Sequence, residues 1–494
     1  VLQTINPFSS SIDADQLFNI STGQAASLEI TNCLLNTVSG GTFLRDQFIM
    51  ECNLNSDRFH QPIKKNKVLS FASLKKKKKM KIGEKVHEVT LQRDLCGRLL
   101  ALSLDTSIDL EKVLCFPITP MPLSLCHIDG SLNKPDKSVL IHELEKQVED
   151  MEQPPPQVDL IIIDGFFFLN TFKEMPRSFG DDKEFHISGP QQTRTAEFTK
   201  DLKNIKFKEA IVKFLIDHWA DQEMATIIGS KVIYIIHDLC YEYSVTDNKV
   251  TRIINNELSC PDHEEADTKI AFVACQQNED STITVRTSDT DIVVIMLANM
   301  EHLQARVEVW MDLGVGNARR CIDVSALYKK LGTKISKALP ALHAFTGCDF
   351  NPALYRRGKK KPLQLLMNSE IFQDAFLDLG SKEHNVQDSF NIIQSFTCHL
   401  YGLKKLDDVN QARIVIFNRT YKVKDKSQPF SLSVRNYDAC NLPPCESELL
   451  QQVLRTKFIA CLWSNAHNAK ITDLLPTDYG WKIVDEKFKM NWFA

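Results

Sequence analysis

Between residues 158 and 364, apolar runs recur along the chain, and each ends on an acidic or small polar residue. The run 160–163 ends at Asp164-Gly165, and 232–236 ends at His237-Asp238. The run 283–285 leads into Thr287-Ser288-Asp289, and 307–310 leads into Asp312. Helical spacing fills several of the intervals, notably 206–219 and 266–276. Short apolar strands alternating with helices predict an α/β fold built on a doubly wound, mostly parallel sheet with helices on both faces. Sheets of this kind bind ligands beyond the carboxyl ends of their strands, which is where these acids fall.

The flanking regions are patterned differently. Residues 1–150 read as a mixed α/β region. A helix is expected at 91–104, with Leu95, Leu99, Leu100 and Leu102 on it, and an acidic helix at 140–150. The five lysines 75–79 read as a solvated loop or strand edge, with nuclear import or phosphate contact as the functional alternative. Pro154-Pro155-Pro156 marks a linker over 151–157. Residues 365–494 read as mainly helical, with the best helices at 386–401 and 447–463 and an aromatic hairpin at 479–492.

Composition narrows the classes. The 494 residues carry a net charge of only −4, which argues against a broadly basic nucleic-acid coat but allows a local basic strip. Fourteen cysteines occur without any CxxC pair. That usage suits free thiols in a reducing compartment better than a disulfide framework or a zinc site. No signal-peptide pattern opens the chain and no apolar run approaches ~18 residues. The expectation is an intracellular protein, nuclear or cytoplasmic, with no membrane span; the missing initiator Met suggests a fragment.

Four acidic groups are candidates for chemistry: Asp164, the cluster Glu264-Glu265-Ala266-Asp267, the pair Asp289 and Asp291, and Asp349. Acids converging from separate strand ends can hold two hard divalent cations such as Mg²⁺ or Mn²⁺. Each group also has an ordinary reading. Asp164-Gly165 is a common turn. Asp262, three residues before Glu265, forms a capping box at a helix start. Asp289 and Asp291 share a side if their segment is extended, and loop acids of this kind are often only solvated. Asp349, after Gly347, can cap a helix. Glu264 shares a helical face with Asp267 at i, i+3, so Glu264 and Glu265 stay open as alternatives.

The series Asp164-Gly165, Glu265-Ala266-Asp267, Ser288-Asp289-Thr290-Asp291 and Gly347-Cys348-Asp349-Phe350 resembles the acidic motifs of the flap-endonuclease branch of PIN-like nucleases. The stretches HEEADT from His263, TSDTDI from Thr287 and LHAFTGCD from Leu342 resemble, more closely, an uncharacterised multi-copy animal family. The resemblance implies a PIN-like domain over 158–364 and two Mg²⁺ or Mn²⁺ ions. It implies metal-dependent phosphodiester hydrolysis by Asp164, Asp267, Asp289, Asp291 and Asp349, with Glu264 or Glu265 as a further ligand. DNA or RNA is the implied partner. Arg356, Arg357, Lys359, Lys360 and Lys361 are then a candidate strip for the phosphate backbone; the ordinary reading is an exposed basic loop. Lys334 and Lys337 can extend the strip, Arg319 and Arg320 can reach phosphate, and His343 reads as structural.

One departure stands out. The PIN-like pattern has a further strand ending in an Asp, whereas here Phe179-Gly180-Asp181 passes almost directly to His186. A strand segment is therefore expected to be missing near 181–186, with Asp181 or Asp182 as stand-ins. The alternative function is a catalytically degenerate protein of mobile-element origin that binds nucleic acid or a protein.

Overall fold

A computed structural model describes residues 17–19, 24–61, 68–70, 77–82, 85–90, 109–118, 121–127, 130–148, 155, 157–165, 167, 204–277, 280–304, 306–420 and 439–493. The expected helix at 91–104, the expected strand gap at 181–186 and most of the linker 151–157 lie outside them. The chain divides into two compact units. The first takes residues 1–98 and 423–434. It contains helices Leu28–Leu35 and Thr37–Leu54, and a hairpin that pairs Lys77–Ile82 with Lys85–Thr90. The lysine run therefore enters a strand.

The second unit, residues 99–422 and 435–494, is mixed α/β. Its strands, in chain order, are β1 (Leu160–Ile163), β2 (Ile233–Ile236), β3 (Cys240–Thr246), β4 (Lys249–Asn255), β5 (Thr282–Thr287), β6 (Glu308–Leu313), β7 (Arg320–Asp323), β8 (Trp481–Val484) and β9 (Lys487–Met490). The longer helices are α1 (Ser138–Glu145), α2 (Ile205–His218), α3 (Ala266–Cys275), α4 (Thr290–Asn299), α5 (Val324–Phe345), α6 (Lys360–Met367), α7 (Glu370–Leu379), α8 (Val386–Leu400), α9 (Val409–Thr420) and α10 (Glu446–Ser464). Gly332, at φ 78° and ψ 161°, breaks α5 into two segments.

A four-stranded sheet runs β7-β6-β5-β1. Strands β1, β5 and β6 are parallel, and β7 is antiparallel to β6. The apolar run Leu160–Ile163, whose three isoleucines are β-branched, suits a strand. Among the described residues β1 is an edge, with Ile161 60% and Ile163 46% exposed. Beside this sheet, β2, β3 and β4 form a separate antiparallel meander. That corrects the expectation that the run 232–236 joins the parallel sheet. The decisive signal is the two-residue turn Asp247-Asn248, with φ 50° and 60°, which closes a hairpin between β3 and β4.

The run after Asp289, whose conformation the sequence left open, is settled by the fold. It is not an extended segment but α4, and every one of its residues is buried. A helix that is apolar all round belongs in a core. One hydrophobic cluster extends from Leu125 to Ala466, taking in α4, β5, β6, α5 and the helices after residue 365. The region after 365 is mainly helical and closes with the β8–β9 hairpin, as its pattern predicts. No helix among the described residues is long and apolar enough to cross a membrane.

Candidate metal centre

The acids gather at the carboxyl ends of β1 and β5. Parallel pairing sets Ile163 opposite Arg286, so the residues just beyond both strands meet. The Asp164 N–H bonds the Arg286 carbonyl at 3.1 Å. Thr287 Oγ1 donates to Asp164 Oδ2 at 3.3 Å and accepts from the Asp289 N–H at 3.1 Å. Asp289 is the N-cap of α4 and accepts the Asp291 N–H at 3.0 Å. Its capping role and its place in the cluster thus coexist. The two carboxylates are neighbours through the first turn of a helix rather than through a strand.

The third element is the start of α3. Glu265 is its N-cap, and no side chain caps it. The capping box expected from Asp262 is not formed, so the first-turn acids are not spent on the helix end. Asp267 projects into the cluster: one carboxylate oxygen from each of Asp267, Asp289 and Asp291 lies within 4.8 Å of the other two. The two glutamates are placed differently. Glu264 is exposed, whereas Glu265 is half-buried, with Trp463 Nε1 donating to its Oε2 at 3.5 Å.

Asp349 joins from the turn after α5. It is exposed, and Lys137 Nζ bridges it to the cluster, 3.1 Å from Asp349 Oδ2 and 2.9 Å from Asp291 Oδ2. Buried Asn351 holds the turn. Its amide nitrogen donates to the Ala344 carbonyl at 3.1 Å and to Thr456 Oγ1 at 3.1 Å, and its Oδ1 accepts from Arg455 Nε at 3.0 Å.

Burial and mutual repulsion shape the charges. Burial pushes Asp267 up to about 8, with Asp289, Asp291, Glu265 and Asp164 adding to it. Glu265 rises to about 7, chiefly through burial, against the Trp463 bond. Asp289 is raised by burial and by Asp291. Asp291 goes the other way. Burial would raise it too, but His343 and Lys137 hold it well below the usual carboxylate range. The set is all oxygen donors and densely acidic, and Lys137 bonds two of its members. Those properties fit a hard divalent cation, whose charge would relieve the repulsion that raises Asp267 and Glu265.

Of the expected ligands, Asp267, Asp289 and Asp291 are brought together directly. Asp164 adjoins through Thr287, Asp349 through Lys137, and Glu265 stands behind them. Glu264 is not part of the group. Asp312 is buried within β6 and spent on Arg286 and Arg319.

The basic strip is largely dismantled. Lys359 is 1% exposed and bonded inside the fold, so it cannot meet a phosphate backbone. Arg357 stacks on Tyr401, its guanidinium 3.9 Å from the ring centroid. Lys361 donates to the Leu400 carbonyl at 2.7 Å, and Lys360 bonds Glu143 at 3.1 Å. Arg356, Lys360 and Lys361 remain exposed. Lys334, Lys337, Arg319 and Arg320 are paired with Asp374, Glu301, Asp312 and Glu145.

Pattern reading missed Lys137 and Trp463 and set His343 aside. No local signal marks any of them, because each reaches the site across a long sequence separation. No family model, no characterised protein and no solved structure matches this chain.

Proposed function

We propose that this cluster binds two Mg²⁺ or Mn²⁺ ions and that the protein hydrolyses phosphodiester bonds of DNA or RNA, as its resemblance to PIN-like nucleases implies. The observation that carries the reading is the convergence of Asp267, Asp289 and Asp291 within 4.8 Å at the ends of parallel strands. Asp164, Glu265 and Asp349 would complete the ligand set. The ions would supply Lewis acidity to a water molecule and to the departing oxygen. Asp289 and Asp291 are held by the first turn of a wholly buried helix, which fixes their positions before any ligand arrives. Lys137, at the rim beside exposed Asp349, offers a positive charge toward an entering phosphate. Arg356, Lys360 and Lys361 would add sequence-independent, salt-sensitive contacts. The doubly wound PIN-like topology and an intracellular location, nuclear or cytoplasmic, belong to the same reading.

A second reading is favoured by two observations: Lys137 already bridges Asp291 and Asp349, and β1 is an open edge among the described residues. Both suit a catalytically degenerate protein that binds nucleic acid or a protein partner.

The deciding experiment is Mn²⁺-dependent cleavage of labelled flap, single-stranded DNA and RNA substrates. The chain is run beside an Asp289→Asn/Asp291→Asn double variant. Cutting that vanishes in the variant is expected. No cutting by a chain that melts cooperatively would replace the nuclease with the binding protein.

A further inference from the structure

The lysine withdrawn from the basic strip has a place of its own. Lys359 Nζ lies 3.0 Å from His343 Nδ1 and 2.8 Å from the His343 carbonyl, and it also bonds the Gly347 carbonyl. His343 is fully buried, and its Nε2 lies 2.9 Å from Asp291 Oδ1. The chain of contacts runs from a buried ammonium, through an imidazole, to a candidate metal ligand.

Counting donors and acceptors fixes how this chain is wired. An ammonium has three N–H groups and no acceptor. Lys359 faces three acceptors, so each N–H has a partner. His343 Nδ1 must then be the bare, accepting nitrogen, and the ring proton sits on Nε2, aimed at the Asp291 carboxylate. The opposite tautomer would set an N–H against an ammonium and a nitrogen lone pair against a carboxylate oxygen. A doubly protonated ring fails at the first of these contacts. Burial and the Lys359 charge push His343 down to about 4. Burial pushes Lys359 down to about 7.

We propose that Lys359 is a positioning residue of the metal centre: it locks His343 in the Nε2–H tautomer that orients Asp291, and it holds the Gly347 carbonyl at the turn carrying Asp349. A neutral donor orients Asp291 through Oδ1 without adding to the positive charge that Lys137 already sets against Oδ2. Partners that orient a metal-ligating side chain from behind typically change metal affinity about 10- to 100-fold when removed. One buried ammonium thus places two ligands that lie 58 positions apart in the sequence, Asp291 and Asp349. The inference rests on the metal-centre reading of the cluster, and its test separates the two.

The full chain, metal-free at pH 6 and ¹⁵N-labelled at histidine, is compared by NMR with Lys359→Met, with His343→Gln identifying the His343 signals. Mn²⁺ affinity of the same proteins is measured by calorimetry. The wild type should show a bare Nδ1 and a protonated Nε2 at His343. Lys359→Met should lose that signature and bind Mn²⁺ about 10- to 100-fold more weakly. If Lys359→Met does not fold, Lys359→Gln, which keeps two N–H donors but no charge, is put through both measurements. A wild-type His343 protonated on Nδ1 overturns the proposal without any variant. So does a Lys359 variant with unchanged tautomer and unchanged Mn²⁺ affinity. A wild type with the expected tautomer but no Mn²⁺ binding overturns the metal-centre reading while leaving the Lys359–His343 lock in place.

Discussion

Asp267 shows how a single carboxylate is governed by its surroundings. Burial and four acidic neighbours lift it to about 8, far above the value of about 4 of an unfolded chain. Between those values the native state holds the extra proton, so its contribution to stability falls as pH rises through that window. Asp267→Asn removes this dependence. In metal-free melts from pH 5 to 8, the variant should gain steadily on the wild type. A constant difference would mean that Asp267 is not held in its protonated form. If the proposed site binds the cation through Asp267, saturating Mn²⁺ should reverse the order, with only the wild type gaining. At 100-fold excess over Kd that gain is about 2.7 kcal/mol. Equal stabilisation of both proteins would remove Asp267 from the ligand set. The acids themselves were legible as residue types placed after apolar runs. The choice of Glu265 over Glu264 was not, since it depends on which of two adjacent side chains faces Trp463.

Elements place these side chains, and the turn after α5 does so through a glycine. Gly347 has φ 107°, and a Cβ there would lie 2.8 Å from the Ala353 Cβ and 2.9 Å from its Cα and N. Both conformation and space exclude a side chain. Gly347→Ala should cost about 2–4 kcal/mol and shift Asp349 away from Lys137, weakening Mn²⁺ binding as well. Nearby Gly358 also has positive φ, 48°, but nothing lies within 4 Å of its added Cβ. Gly358→Ala is therefore the control and should cost only about 1 kcal/mol. Denaturant melts that rank the two equally would show that the contact with Ala353 is not limiting. At this scale the sequence was read well for α2, α3, α8, α10 and the terminal hairpin, where periodicity or aromatic patterning is strong. It was misread where a run of apolar residues is short or wholly buried. β2 looks like a parallel strand because a four-residue apolar run carries no sign of its pairing, and α4 went unassigned because a fully buried segment has no polar face to reveal its period.

The second unit behaves as one body because its core is continuous. Helix α4 touches α3, α5 and α10, and the cluster that contains it crosses residue 364 without a break. Helix α10 also carries buried polar side chains, Gln452, Arg455, Thr456 and Lys457. They hold the turn at Asn351, the β8–β9 hairpin and the loop after α7. A chain truncated after Gln364 should therefore fail to melt cooperatively and should bind a hydrophobic dye, although the composition changes near that point. A cooperative melt of that truncated chain would show instead that the later helices are an independent module.

The sequence by itself determined the mixed α/β character, the acids after β1 and β5, and the helical C-terminal region. All of these are written in local pattern: runs, periods and the residues that end them. Only the tertiary structure decided which acids converge, and what stands behind them. Lys137 meets Asp291 across 154 positions and Trp463 meets Glu265 across 198. Lys359 leaves a basic run to become a buried ammonium. Such partnerships carry no local signature, because a lysine within a charged stretch reads the same whether it faces water or an imidazole. Burial and distance alone distinguish the two, and both are properties of the folded chain.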